Sequence, residues 1–133
     1  MTFHLKTIIL SAYLIEVHLK QGVVMRKVTE KCVKAFNENR EVKSGNTIVS
    51  VETDYDDVTY VNMYLHGNCI AHKNLHTGEV SINNCGWESN TTKERLNGLI
   101  ASIKGYKDTI YQKNWNWYWK EGESFPSNKW VTI

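Results

Sequence analysis

From position 25 onward the apolar residues Val28, Cys32 and Phe36 recur at every fourth position, with Lys27, Lys31, Lys34 and Glu38 between them. That spacing gathers the apolar side chains on one face and predicts an amphipathic helix over residues 25–39. Ser44, Gly45 and Asn46 break the pattern as a turn. The period then drops to two. Residues 47–52 are rich in β-formers, and over residues 58–66 Val61, Met63 and Leu65 alternate with Tyr60, Asn62, Tyr64 and His66. This is a strand with one buried face. Gly67 and Asn68 predict a two-residue hairpin turn that sets His66 opposite Cys69 and Leu65 opposite Ile70. Residues 69–73 return as the partner strand, His76, Thr77 and Gly78 turn the chain again, and residues 79–83 carry Val80 and Ile82 inward.

A polar loop over residues 84–90 holds a single large side chain, Trp87. Helical spacing then resumes over residues 91–104, where Leu96, Leu99, Ile100 and Ile103 form the apolar stripe. Thr91 with Glu94 three residues on reads as a capping box, and Gly105 as the stop. Residues 108–113, 115–120 and 129–133 return to strand character. Trp115, Trp117 and Trp119 alternate along one of them and so share a face. Two readings of that face stand: a stacking platform for bases, or core, which is favoured because each indole buries a large apolar area and which leaves Asn116 and Tyr118 opposite. The fold class that follows is α+β: a mostly antiparallel β-sheet (a β-meander) with two helices packed on one face.

The segment before position 25 fits this scheme poorly. Its apolar run from Thr7 to Val17 is interrupted by Glu16 and is shorter than the roughly 18–20 residues of a membrane span. Residues 21–25, Gln-Gly-Val-Val-Met, back-translate to CAAGGAGTNGTNATG, a purine-rich ribosome-binding sequence ahead of a start codon. The expectation is an upstream leader or N-terminal extension over residues 1–24 and a single α+β domain over residues 25–133. Removing the leader takes away only Lys6, Lys20 and Glu16, so the charge balance hardly changes.

That balance is near neutral, with 16 Lys and Arg against 14 Asp and Glu in 133 residues. No broad basic field exists to coat a long nucleic acid. Three cysteines, an odd count without a convincing secretory signal, suggest free thiols and a cytoplasmic setting.

Leu65-His66-Gly67-Asn68-x-Ile70-Ala71, followed by Gly86-Trp87-x-Ser89-x-Thr91-Thr92-Lys93-x-Arg95-Leu96-Asn97, resembles a group of small proteins of bacteriophages and prophages. The resemblance covers residues 44–133 and includes the aromatic tail with Trp130 and Val131. It implies a phage-type origin and brings no reaction with it.

Chemistry concentrates at the second helix start. Free N–H groups there attract anions, and the hydroxyls of Thr91 and Thr92 add donors. Lys93 and Arg95 place cations at the end where the helix dipole disfavours them, a cost that a bound phosphate offsets. Trp87, just before the cap, is placed to stack on a base. These five residues, Trp87, Thr91, Thr92, Lys93 and Arg95, make a phosphate-bearing ligand, a nucleotide or nucleic acid, the leading expectation. No glycine-rich phosphate loop precedes the helix. The alternative is a protein-binding role, such as inhibition of a host or defence protein, through an aromatic sheet face of Tyr60, Tyr64, His66 and Asn68.

Other constellations are weaker. His66, Cys69, His72, His76 and Cys85 lie close in sequence, but strand alternation turns Cys69 and His72 to opposite faces, so no metal is expected. Asp54, Asp56 and Asp57 read as a solvated turn. No catalytic constellation and no cofactor motif emerge, and the reading is of a non-enzymatic protein without membrane attachment. The short edge strand over residues 129–133 offers a surface on which a second copy can pair.

Overall fold

In a computed structural model of the chain, residues 26–133 are described; the expected leader lies outside them. Among these residues two α-helices, α1 (Lys27–Asn37) and α2 (Asn90–Lys104), accompany nine strands. β1 (Val42–Ser44), β2 (Thr47–Thr53), β3 (Thr59–Leu65), β4 (Asn68–Asn74) and β5 (Val80–Ile82) form an antiparallel meander, and β9 (Val131–Thr132) pairs beside β5 at its edge. The α+β class holds. The tail strands do not all extend this sheet: β6 (Tyr111–Lys113), β7 (Asn116–Trp119) and β8 (Glu123–Ser124) make a separate three-stranded sheet.

The alternation read from the sequence sorts the main sheet as expected. Val49, Val61, Met63, Leu65, Val80 and Ile82 are buried, and Cys32 and Phe36 of α1 and Leu96, Leu99 and Ile100 of α2 join the same core. The helices also pack on each other, where Asn37 donates to Ser102 at 3.0 Å. Trp117 and Trp119 bring the small sheet into this core around Phe125, with ring centroids 5.8 and 5.0 Å away. Asn97 ties the two parts together by acting as a surrogate strand. Its Nδ2 donates to the Ile110 carbonyl at 2.9 Å and its Oδ1 accepts from the Ile110 N–H at 2.6 Å.

Three local expectations are corrected. The β3–β4 turn is His66-Gly67 rather than Gly67-Asn68, with φ of 50° and 81°, so Leu65 faces Asn68 and Tyr64 faces Cys69. A type I′ turn needs positive φ at both central residues and favours glycine second, which sets this frame. A bulge between Met63 and Tyr64 then restores the core phase, and Ile70 and Ala71 are both buried. Trp115 leaves the indole stripe: it sits with Asn114 in the β6–β7 turn at φ 69° and 51°, and is 86% exposed. The cap of α2 is Ser89, not Thr91. Its Oγ accepts from the Thr92 N–H at 3.1 Å, and Glu94 is drawn away to α1.

A cleft at the start of the second helix

The loop that carries Trp87 is shaped by two asparagines. Asn83 Oδ1 accepts from the Cys85 N–H at 2.8 Å. Asn84 Oδ1 accepts from the Gly86 N–H at 2.9 Å and from the Asn128 N–H at 2.8 Å, pinning the loop to the C-terminal segment. Cys85 and Gly86 both have positive φ, and the Trp87 N–H closes the turn onto the Asn84 carbonyl at 2.9 Å. Asparagine suits this place because its short amide bonds the backbone two residues on. The chain reverses tightly and delivers Trp87 to the surface, 63% exposed, just before the Ser89 cap.

Between this loop, the β3–β4 turn and the start of α2 lies a cleft of about 360 Å³, lined by Leu65, His66, Asn68, Ile70, Asn84, Trp87, Ser89, Thr91 and Thr92. Small-molecule sites begin at roughly 300 Å³, have mostly apolar walls and hold a few fixed polar groups. Leu65 and Ile70 supply the apolar wall. The polar groups come from three elements. His66 is held by Asn46, whose side-chain nitrogen lies 3.2 Å from the imidazole Nε2. The first intrahelical bond of α2 runs from Lys93 N to Ser89 O, so the N–H groups of Asn90 and Thr91 precede it. Asn84 is fully buried, and its Nδ2 has no hydrogen-bond partner among the described residues.

The nine residues singled out in the sequence are thus divided. Trp87, Thr91 and Thr92 share the cleft, and His66 and Asn68, assigned to a partner surface, line it as well. Thr92 is spent locally, its hydroxyl 2.9 Å from that of Ser89. Lys93 is half-buried in the first turn and does not line the cleft. Arg95 is turned into the interior at 2% exposure, where Nη1 donates to Thr29 at 2.6 Å and Glu94 at 2.7 Å, and Nε to Thr47 at 3.1 Å. A guanidinium so committed is not free for a ligand. Asn84 and the capping Ser89 were missed, although an Asn-x-Gly step ahead of Ser-x-Thr-Thr carries the signature of an Asx turn followed by a cap.

Tyr60 and Tyr64 lie elsewhere, on the outward face of β3. Tyr60 stacks on His72 with centroids 4.2 Å apart, and Trp130 approaches the same imidazole at 5.9 Å. His72 Nδ1 lies 2.6 Å from Asn62 Oδ1, Asn62 Nδ2 donates to Glu52, and Tyr64 donates to the same carboxylate at 2.7 Å. Burial lowers the His72 pKa, which favours the neutral ring.

The thiols are not activated. All three cysteines are free, burial pushes Cys69 up to about 11 and raises Cys32 and Cys85. Among the described residues no group of three or more His, Cys, Asp or Glu is placed to hold a metal ion, and no helix is long and apolar enough to cross a membrane. The acidic connection is a turn in which Asp54 accepts from the N–H groups of Asp56 and Val58 at 2.9 and 3.0 Å.

No curated protein and no solved structure matches the chain. A family model described as Kyanoviridae Gp96 protein matches residues 25–132, nearly all of the described fold and the whole of the cleft. The chain therefore belongs to the Kyanoviridae Gp96 protein family, a family of phage proteins.

Proposed function

We propose that this phage protein is a non-enzymatic binding protein, acting in the host cytoplasm, whose cleft takes a nucleotide or the end of a nucleic-acid strand. One observation carries the reading: an exposed indole, the open start of a fifteen-residue helix and a buried asparagine whose Nδ2 has no partner among the described residues line a single cleft. Trp87 supplies a stacking face. The N–H groups of Asn90 and Thr91 and the Thr91 hydroxyl supply donors for one phosphate, aided by the helix dipole. With Arg95 buried and Lys93 outside the lining, the cleft suits a monophosphate better than a polyphosphate.

Calorimetric titration with the four ribonucleoside monophosphates and with short single-stranded oligonucleotides tests this. Stacking of a base on an aromatic side chain contributes about 1–3 kcal/mol, so Trp87→Ala is expected to weaken binding by about 5- to 150-fold. Absence of binding to every nucleotide and oligonucleotide overturns the proposal.

A second reading rests on the outer sheet face, where Tyr60, His72 and Trp130 present a stacked aromatic group beside the Glu52–Asn62–Tyr64 network. Rings held in place in this way suit a host-protein interface. Tyr60→Ala with Trp130→Ala would abolish partner capture under that reading and leave nucleotide binding untouched.

A further inference from the structure

Asn84 has the properties of a reading head. Asn84 belongs to the cleft lining and is fully buried, and its amide orientation is fixed because Oδ1 already accepts two backbone N–H groups, from Gly86 and Asn128. Nδ2 is left with two protons and no partner among the described residues. A buried donor without an acceptor costs free energy comparable to a lost hydrogen bond, and such a group in a cleft wall points to an acceptor that arrives with a ligand.

Resting on the reading that the cleft holds a nucleotide, we infer that Asn84 makes it selective for bases with a keto oxygen opposite the sugar, uracil and guanine, over cytosine and adenine. The helix start gathers the N–H groups of Asn90 and Thr91 and the Thr91 hydroxyl beside the exposed Trp87, which makes it the place for the phosphate. A base stacked there enters with its sugar outward and the edge farthest from the glycosidic bond innermost, where Asn84 is buried. At that edge uracil O4 and guanine O6 accept a hydrogen bond, whereas cytosine N4 and adenine N6 donate one. Nδ2 of a locked amide donates only. A keto base satisfies it, and an amino base sets two donors against each other and leaves both unpaired.

The test compares binding of UMP, CMP, GMP and AMP to the full chain and to Asn84→Asp. Aspartate keeps the oxygen that Gly86 and Asn128 require and puts an acceptor where Nδ2 stood. The full chain is expected to prefer UMP over CMP and GMP over AMP by about 10- to 100-fold, and Asn84→Asp to lose or invert that order. Because a buried carboxylate can impair folding, the Asn84 side-chain amide signal of the unaltered chain is followed as well. It is expected to shift with UMP and not with an equal excess of CMP. Equal binding of all four nucleotides, or an unchanged order in a folded Asn84→Asp, overturns the inference and leaves the cleft reading standing. Binding of none overturns both.

Discussion

The guanidinium of Arg95 donates to the hydroxyl of Thr29 at 2.6 Å, joining two residues 66 positions apart in the chain. Thr29 passes the contact on to Glu94 at 2.6 Å, Glu94 also pairs with Arg26 at 3.0 Å, and Arg95 reaches Thr47 of β2. One buried cation therefore holds both helices and the sheet at a common point directly beneath the first turns of α2. Its loss removes the charged donor from the buried hydroxyls of Thr29 and Thr47 and leaves Glu94 with Arg26 and Thr29. Arg95→Met is expected to cost about 1.5–3 kcal/mol, the scale of a hydrogen bond to a charged group, because Glu94 keeps Arg26 and some exposure. Arg95→Lys should recover little, because an ammonium cannot reproduce the planar fork. Urea unfolding at neutral pH measures both, and a loss under 1 kcal/mol would contradict the assignment.

The Tyr64–Glu52 contact should be visible at both ends of the pH scale. The Tyr64 hydroxyl, with help from Asn62, holds the Glu52 carboxyl below its ordinary 4.5, and Glu52 in turn pushes Tyr64 up to about 12. The carboxylate's contribution to stability is present above pH 4.5 and is lost as pH falls through the lowered value. The phenol's is present below pH 10 and is lost as pH rises toward 12. Tyr64→Phe is expected to raise the Glu52 pKa toward 4.5 and to remove the alkaline component. A carboxyl carbon NMR titration of Glu52 that does not move in Tyr64→Phe would refute the coupling.

Lys73 of β4 lies beneath the end of α1, donating to the Phe36 carbonyl at 2.7 Å with its ammonium 5.0 Å from the Phe36 ring centre. Burial pulls its pKa down to about 8 from 10.5. The folded chain then binds fewer protons than the unfolded chain between those values, so the Lys73 contribution to stability rises with pH across that window. Measured against Lys73→Met by urea unfolding at pH 7, 8, 9 and 10, the difference should move in favour of the lysine protein as pH climbs. A flat difference would contradict this.

Trp115 occupies the second position of a turn whose two central residues both have positive φ, a place glycine fills best. Its indole is almost wholly exposed and packs on little. Trp115→Gly is expected to leave stability unchanged or raise it by up to about 1 kcal/mol, the scale of left-handed strain in a residue with a Cβ. A loss above 1 kcal/mol by thermal unfolding would show that the ring is anchored.

The contrast between Trp115 and its neighbours illustrates what could be read before the structure. Alternation placed Val61, Met63 and Leu65 inward and Trp117 and Trp119 in the core, since period and apolar mass are properties of the sequence itself. It failed where backbone sign overrides side-chain character, as at Trp115, or where one residue decides a turn, as at His66-Gly67. The candidate site was legible in part for a related reason. Trp87, Thr91 and Thr92 announce a helix start, but whether Arg95 faces a ligand or Thr29 depends on partners more than forty residues away. Asn84 was hidden because an asparagine in a polar loop looks like a turn former, and only its double engagement with Gly86 and Asn128 singles out an Nδ2 with no partner among the described residues.

The cleft itself is tested most directly by a ¹H–¹⁵N NMR titration of the protein with UMP. Saturable shifts are expected, confined to the Trp87 indole N–H, the Asn84 side-chain amide, the Asn90 and Thr91 backbone amides and the His66–Asn68 turn. The Tyr60–His72–Trp130 face should stay unmoved. Shifts that gather on that outer face, or none at saturating nucleotide, would contradict the cleft reading.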